Sequence, residues 1–213
     1  MTQAPPPRSL RDKCIEIKDK VDEFLAEEPD TQILRDVQAQ LRVSIEVVEE
    51  ALERYRPEQI SLSYNGGKDC LVLLIVILAC MGRRYSESHQ TTATNGTSHS
   101  ATPEKLQAVY IVATYPFPEV DEFVESSSAE YNLEVARYVL SMKKGLEIYL
   151  EERPSIKAIF VGTRRTDPHG ENLTHFDPTD SGLFDIWESH IAPSMTRATP
   201  VSAEKRIPTR TLT

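Results

Sequence analysis

The sequence predicts an α/β fold, a parallel sheet flanked by helices and preceded by a helical extension, and three observations point to it. Residues 1–57 carry two apolar stripes at helical spacing. From residue 58 onward, short runs rich in β-branched residues alternate with helical periods, the pattern of a sheet covered on both faces. Between the first such run and the next helix stands a Gly-Gly pair, Gly66-Gly67.

The elements follow in order. Leu10, Cys14, Ile17, Val21 and Phe24 lie three or four apart and form one helical face, with Ser9 placed to accept a first-turn amide as N-cap. Pro29 breaks the chain. A second stripe runs through Ile33, Val37, Leu41, Ile45, Val48 and Leu52 and stops before Pro57. Ile60 to Tyr64 is a strand, and the apolar run Cys70–Met81 a helix. Leu106 to Thr114 is a second strand. Pro118 to Ser128 opens a helix whose first turn holds Glu119, Asp121 and Glu122, where the helix dipole favours carboxylates. Leu133 to Val139 is a third strand. Ser141 to Glu152 is a helix with Met142, Leu146 and Leu150 along one face, and Ile156 to Val161 a fourth strand ending at Gly162. The divisions expected are a helical extension over 1–57, a nucleotide-binding domain over 58–182 with an insertion loop at 86–102, and a structureless tail over 183–213. The insertion is rich in Ser and Thr and lacks apolar periodicity. The tail is punctuated by Pro193, Pro200 and Pro208.

Composition limits the function classes. A chain of 213 residues buries roughly 70% of its unfolded surface without staples. Acidic residues outnumber basic ones by 33 to 24, for a net charge of −9, the reverse of a nucleic-acid binder. The longest apolar run, Cys70–Met81, makes a helix of about 18 Å, short of the roughly 30 Å of a hydrocarbon core. No secretory apolar stretch follows Met1, and Asp12 and Glu16 interrupt the basic residues that an organelle presequence would need. Cys14, Cys70 and Cys80 form neither CxxC nor metal-ligand spacing and read as reduced thiols, so a cytoplasmic monomer without nucleic-acid or membrane partners is expected.

Two segments carry most of the chemistry. In Ser63-Tyr64-Asn65-Gly66-Gly67-Lys68-Asp69-Cys70, the glycines allow a tight turn and the following helix N-terminus offers unpaired amides, so phosphate is the natural ligand. Lys68 supplies charge, and Asp69 either orients a donor or holds Mg²⁺. The spacing is neither GxxxxGK[ST] nor GxGxxG. Gly162-Thr163-Arg164-Arg165-Thr166-Asp167-Pro168 follows the fourth strand, with Asp177-Pro178-Thr179-Asp180 downstream. In an open parallel sheet both segments lie beyond the strands' carboxyl ends, facing one crevice. Tyr115-Pro116-Phe117-Pro118-Glu119 reads either as a wall for a planar ring or as a rigid turn. His169 and His175 read as solvated loop residues, and Cys70 as a small buried helix residue.

SYNGGKDC, YPFPEVDEF, FVGTRRTDPHGENL and DPTD together resemble the eukaryotic FAD synthetases, the FMN adenylyltransferases of the PAPS reductase-like family, from about Gln59 to Gly182. The resemblance implies an adenine nucleotide alpha hydrolase-like fold and transfer of AMP from MgATP to FMN, giving FAD and pyrophosphate. It implies ATP binding by Ser63, Tyr64, Asn65, Gly66, Gly67, Lys68, Asp69, Pro116, Phe117, Glu119, Gly162 and Arg164, and FMN binding by Asp167, Pro168 and Asp180. Catalytic roles fall to Asn65, Lys68, Asp69, Arg164 and Asp167, and Mg²⁺ to Asp69 and Asp167. From Leu183 the sequence departs from the family pattern, which implies an incomplete flavin site. Two alternatives stay open: a nucleotide-binding protein without catalysis, and a sulfonucleotide reductase. The latter needs a cysteine in a C-terminal segment, and none follows Cys80.

Overall fold

The computed structural model describes residues 8–91, 103–112, 117–163, 174–178 and 185–188. Two helices come first, α1 (Leu10–Ala26) and α2 (Gln32–Arg54). Ser9 caps α1 as expected, its Oγ accepting from the Asp12 amide while the Asp12 carboxylate reaches back to the Ser9 amide. The bend at Pro29 is held from α2. Gln38 is buried and donates to the carbonyls of Phe24 (2.8 Å) and Glu27 (2.9 Å), satisfying acceptors that the end of α1 leaves unpaired.

A strand and helix alternation then builds the sheet: β1 (Ile60–Ser63), α3 (Lys68–Thr91), β2 (Leu106–Ile111), α4 (Pro118–Glu130), β3 (Leu133–Tyr138), α5 (Met142–Glu152) and β4 (Ala158–Val161). Among the described residues two more strands follow, β5 (Asp177–Pro178) and β6 (Asp185–Glu188), and the sheet order is β3-β2-β1-β4-β6-β5. All neighbours are parallel except β5 and β6. The strand order reverses at β1, which has β2 on one side and β4 on the other.

Two cores cover the two faces. Leu62, Tyr64, Ala108 and Phe160 point into a large cluster with α1 to α4. Val109 and Ile159 point to the other face, against Tyr149 of α5 and Ile156. The Tyr149 hydroxyl shares a buried hydrogen bond of 2.7 Å with Ser61 Oγ, so a polar residue in the middle of β1 is satisfied. The N-terminal pair packs on α3. Helices α1 and α3 approach so closely that a Cβ at Gly82 would stand 2.3 Å from the Cys14 carbonyl oxygen.

The structure corrects three expectations of detail. Helix α3 runs ten residues past Met81 to Thr91, taking in the first part of the expected insertion loop. No proline interrupts the chain there, and the Ser86 hydroxyl is absorbed by the Gly82 carbonyl (2.9 Å). On α5 Leu146 and Leu150 pack on the second core as expected, but the fully buried positions are Gly145 and Tyr149, and Met142 is exposed. A helix that rests on a sheet through a glycine turns that glycine's side inward, and a Cβ at Gly145 would meet Ile111 Cδ1 at 2.5 Å. The expected structureless tail contains β6, which pairs with β4 from Ala158↔Asp185 to Val161↔Glu188. Four residues are too few to show a period, but the open edge of β4 offers backbone partners that an extended segment can satisfy.

Candidate functional site: the loops after β1 and β4

Beyond β1 the chain turns at Asn65 and Gly66. Gly66 has φ +72°, a left-handed conformation that glycine adopts without penalty. A Cβ there would lie 2.9 Å from Val124 Cγ2 and 3.5 Å from side-chain carbons of Val120 and Phe123, so α4 packs directly on the loop. The Asn65 side chain braces the turn. Its Oδ1 accepts from the Gly67 amide (2.9 Å) and from the Cys70 thiol (3.0 Å), and the thiol also lies 3.0 Å from the Gly67 carbonyl. The Leu71 amide then donates to the Gly67 carbonyl (3.1 Å), closing the first turn of α3. By helix geometry the amides ahead of it, at Lys68, Asp69 and Cys70, have no carbonyl four residues back within the helix. They concentrate the positive end of the helix dipole beside exposed Lys68 and half-buried Asp69.

The second loop meets the first at this turn. A Cβ at Gly162, which follows β4, would stand 3.1 Å from the Cys70 amide nitrogen and 3.2 Å from the Asp69 carbonyl carbon. A side chain there would need the end of β4 and the start of α3 to separate by a few tenths of an ångström. Gly162 and Thr163 therefore lead the chain across the N-terminus of α3, at the point where the strand order reverses between β1 and β4. Crevices at such reversals are where open α/β sheets bind ligands.

The third segment contributes from α4. Phe117 is the N-cap of that helix, is 73% exposed, and makes no side-chain cap hydrogen bond; Pro118 occupies the first turn with Glu119 exposed beside it. The helix is anchored from beneath the loop. Tyr64 is fully buried, and its hydroxyl donates to Ser127 Oγ at 2.8 Å. Tyr64, expected among the residues that bind nucleotide, turns its side chain into the core and fixes α4 against the glycine turn. Burial raises its phenol pKa, against the lowering effect of the Ser127 hydrogen bond.

The sites expected at Ser63, Asn65, Gly66, Gly67, Lys68, Asp69 and Gly162 come together, with Phe117 and Glu119 on the helix that flanks them. Pro116, Arg164, Asp167, Pro168 and Asp180 lie outside the described residues. Sequence reading missed the work of Cys70. Its burial raises the thiol pKa, opposed by hydrogen bonds from its surroundings at Asn65 and Gly67, so the sulfur stays protonated and donates. The available signal was position, since a donor on the first turn of a helix reaches back to the loop that precedes it. Among the described residues no group of three or more His, Cys, Asp or Glu side chains forms a metal cluster. Nor, among them, is any helix long and apolar enough to cross a membrane.

Comparison with known proteins agrees with this fold. The phosphoadenosine phosphosulfate reductase domain family matches residues 59–155. A probable FAD synthase of Schizosaccharomyces pombe is 35% identical over 146 residues, covering 68% of this chain and 51% of the relative. The flavin adenine dinucleotide synthase of Saccharomyces cerevisiae is 30% identical over 182 residues, covering 81% of this chain and 58% of that protein. Among solved structures, Candida glabrata FMN adenylyltransferase in complex with FMN and the ATP analogue AMPCPP superposes with a TM-score of 0.73 at 27% identity, over 86% of this chain and 60% of that one. The chain thus spans little more than half the length of the fungal relatives it matches. Residues 59–155 match the phosphoadenosine phosphosulfate reductase domain family, and the chain is similar in sequence and in fold to the fungal FAD synthases.

Proposed function

We propose that the chain binds MgATP in the crevice between the β1 and β4 loops and acts as an FMN adenylyltransferase. The observation that carries this reading is the packing of Gly162 on the first turn of α3, which joins two phosphate-suited loops at one helix N-terminus. The ATP phosphates would lie on the amides of α3, with Lys68 neutralising charge that passes to the leaving pyrophosphate. An oxygen of the FMN phosphate attacks the α-phosphorus of ATP; the bond from that phosphorus to the bridging oxygen of the β-phosphate breaks; FAD and pyrophosphate result. No proton need leave a carbon and no covalent enzyme intermediate is required, so the protein's work is alignment and charge neutralisation.

Asp69 fits Mg²⁺, which is often held by one or two carboxylates together with substrate phosphates. When bound, the ion would neutralise phosphate charge; Asp167 is the second candidate ligand. Arg164 is assigned to the reacting phosphates, Asp167, Pro168 and Asp180 to FMN, and Pro116, Phe117 and Glu119 to the nucleoside side of the site. A sulfonucleotide reductase is disfavoured. Burial raises the pKa of the three thiols present, that of Cys14 and Cys80 to about 12, so none of them is an activated nucleophile. The same buried, unpaired thiols and the acidic charge support a cytoplasmic monomer with small-molecule partners.

Incubation of the purified chain with MgATP and FMN, followed by chromatography, tests the reading. FAD is expected from the parent and not from Asp69→Ala, a substitution that favours the helix and so should spare the fold. Saturable MgATP binding without FAD would replace the transferase by a nucleotide-binding protein. Equal MgATP affinity in parent and variant, by calorimetry, would remove Asp69 from the site.

A further inference from the structure

Helix α4 flanks the glycine turn, yet no side-chain cap ties down its start. Phe117, at the N-cap, makes no such hydrogen bond, and Pro118 follows it. The hold comes from β3 instead. Arg137 faces its register partner Tyr110 on β2, and its guanidinium carbon lies 5.2 Å from the centroid of that ring. From there the two arms of the guanidinium reach α4. Nη2 pairs with Asp121 Oδ1 on the first turn, and Nη1 pairs with Glu125 Oε1 one turn later, at 3.1 Å. Asp121 and Glu125, four residues apart, share one flank of the helix. The adjoining flank fills the space beside Gly66: a Cβ there would stand 3.5 Å from Val120 Cγ1, 3.5 Å from Phe123 Cδ1 and 2.9 Å from Val124 Cγ2. Each carboxylate that Arg137 grips therefore belongs to the immediate chain neighbour of a valine that presses on the glycine turn.

We propose that Arg137 is a positioning residue for the nucleotide loop. It fixes the first half of α4 against β2 and β3, as the hydrogen bond from Tyr64 to Ser127 fixes the second half. Held at both points, α4 keeps Val120 and Val124 against Gly66 and so keeps the turn from Asn65 to Asp69 in the shape that presents the first amides of α3. The proposal rests on the MgATP reading of that turn and extends the site to a strand that carries none of its loops. Arginine suits the task better than lysine, because a planar fork spans two carboxylates one turn apart, whereas an ammonium is a single point of charge.

The test makes two measurements on the full chain, MgATP affinity by calorimetry and amide hydrogen exchange by mass spectrometry. The variants are Arg137→Ala, Arg137→Lys, Asp121→Asn and the double variant Arg137→Ala/Asp121→Asn. In Arg137→Ala, MgATP affinity is expected to fall about threefold, the order that one exposed, two-armed ion pair supplies. Exchange should quicken over residues 65–71 and 118–125 and stay unchanged in α1 and α2. Arg137→Lys keeps the charge but not the two-armed grip, and should recover only part of the loss. The double variant should be little worse than Arg137→Ala, because the two residues act as a unit. Parent affinity in Arg137→Lys would reduce the residue to its charge and overturn the proposal. So would parent affinity in Arg137→Ala, exchange over residues 65–71 that does not change, or faster exchange throughout α1 and α2, the sign of a fold loosened as a whole. A parent chain that binds no MgATP would overturn the nucleotide reading, and the proposal with it.

Discussion

Asn65, Gly66, Cys70 and Gly162 shape the glycine turn after β1 through contacts of single atoms. Asn65 Oδ1 takes two donors, Gly66 supplies a positive φ and room for Val124, and Gly162 lets a strand end touch a helix start. Gly66→Ala should therefore fail twice. The left-handed backbone costs an alanine roughly 1–2 kcal/mol, and its Cβ would drive into Val124 of α4. The expected outcome is a chain that still folds, with a lower melting temperature and MgATP affinity reduced at least tenfold; an unchanged affinity would show that the turn does not set the nucleotide site. The glycines, Lys68 and Asp69 were legible in the sequence because glycine, lysine and aspartate each have a local reason to stand there. The buried role of Tyr64 was not, since it depends on Ser127, a residue on another helix. Nor was the use of Cys70 as a donor, because a thiol in an apolar run looks the same whether or not an acceptor lies three ångströms away.

At the level of elements, α1, α2 and α3 are joined by Arg83. Its guanidinium reaches Asp22 of α1 (2.7 Å) and Glu49 of α2 (3.0 Å), while its neighbour Arg84 donates to the Leu52 and Glu49 carbonyls at the end of α2. Within α1, hydrogen bonds from Lys20 and then Lys13 hold Glu16 down to about 2. Burial tends to raise the Asp22 carboxyl, but hydrogen bonds from Arg83 and Lys18 leave it lowered overall. Both carboxyls thus bind protons more weakly in the folded chain than in the unfolded one. Their contribution is complete above the ordinary carboxylate value and is lost as pH falls towards 2. The urea midpoint should drop steeply over that range, and Glu16→Gln should flatten part of the drop. Because Glu16 lies near the surface, molar salt should flatten it too. A midpoint that is level from pH 5 to pH 3 at low salt would deny these pairs any part in stability. The existence and order of α1 to α5 could be read from the 3.6 period. The inward side of α5 could be read only in part: Leu146 and Leu150 face the core, but Gly145 carries no hydrophobic signal and is buried through what it lets approach.

Across the whole molecule, the alternation of strands and helices was enough to indicate a parallel sheet, with loops meeting beyond its strand ends. The β1, β2 and β4 runs announce themselves because they are largely buried and mostly apolar, and β3, at the edge with Glu134 and Arg137 exposed, by its alternation of apolar and charged residues. β5 and β6 do not, since they are short and draw their order from backbone pairing, β6 with β4 and β5 with β6. The reversal that makes the crevice is equally invisible locally: nothing within β4 says that it returns to the side of β1 opposite β2. It follows from α5 covering the other face of the sheet, which carries the chain back across.

That return has a consequence in time. β1 lies near the start of the domain and β4 near its end, so the pairing Ile60↔Ala158 closes a longer stretch of chain than β1 with β2 or β2 with β3. Long closures are slow, and the Gly162 contact with α3 waits on this one. On refolding from urea, far-UV ellipticity should recover first and MgATP binding only in the last phase, because the binding crevice has no wall until β4 arrives. Nucleotide binding that returned together with the helical signal would mean that the β1 loop alone suffices. If it lags, a nascent chain released before β4 is in place holds most of its secondary structure and none of its ligand, and occupancy by nucleotide becomes the mark of a finished sheet.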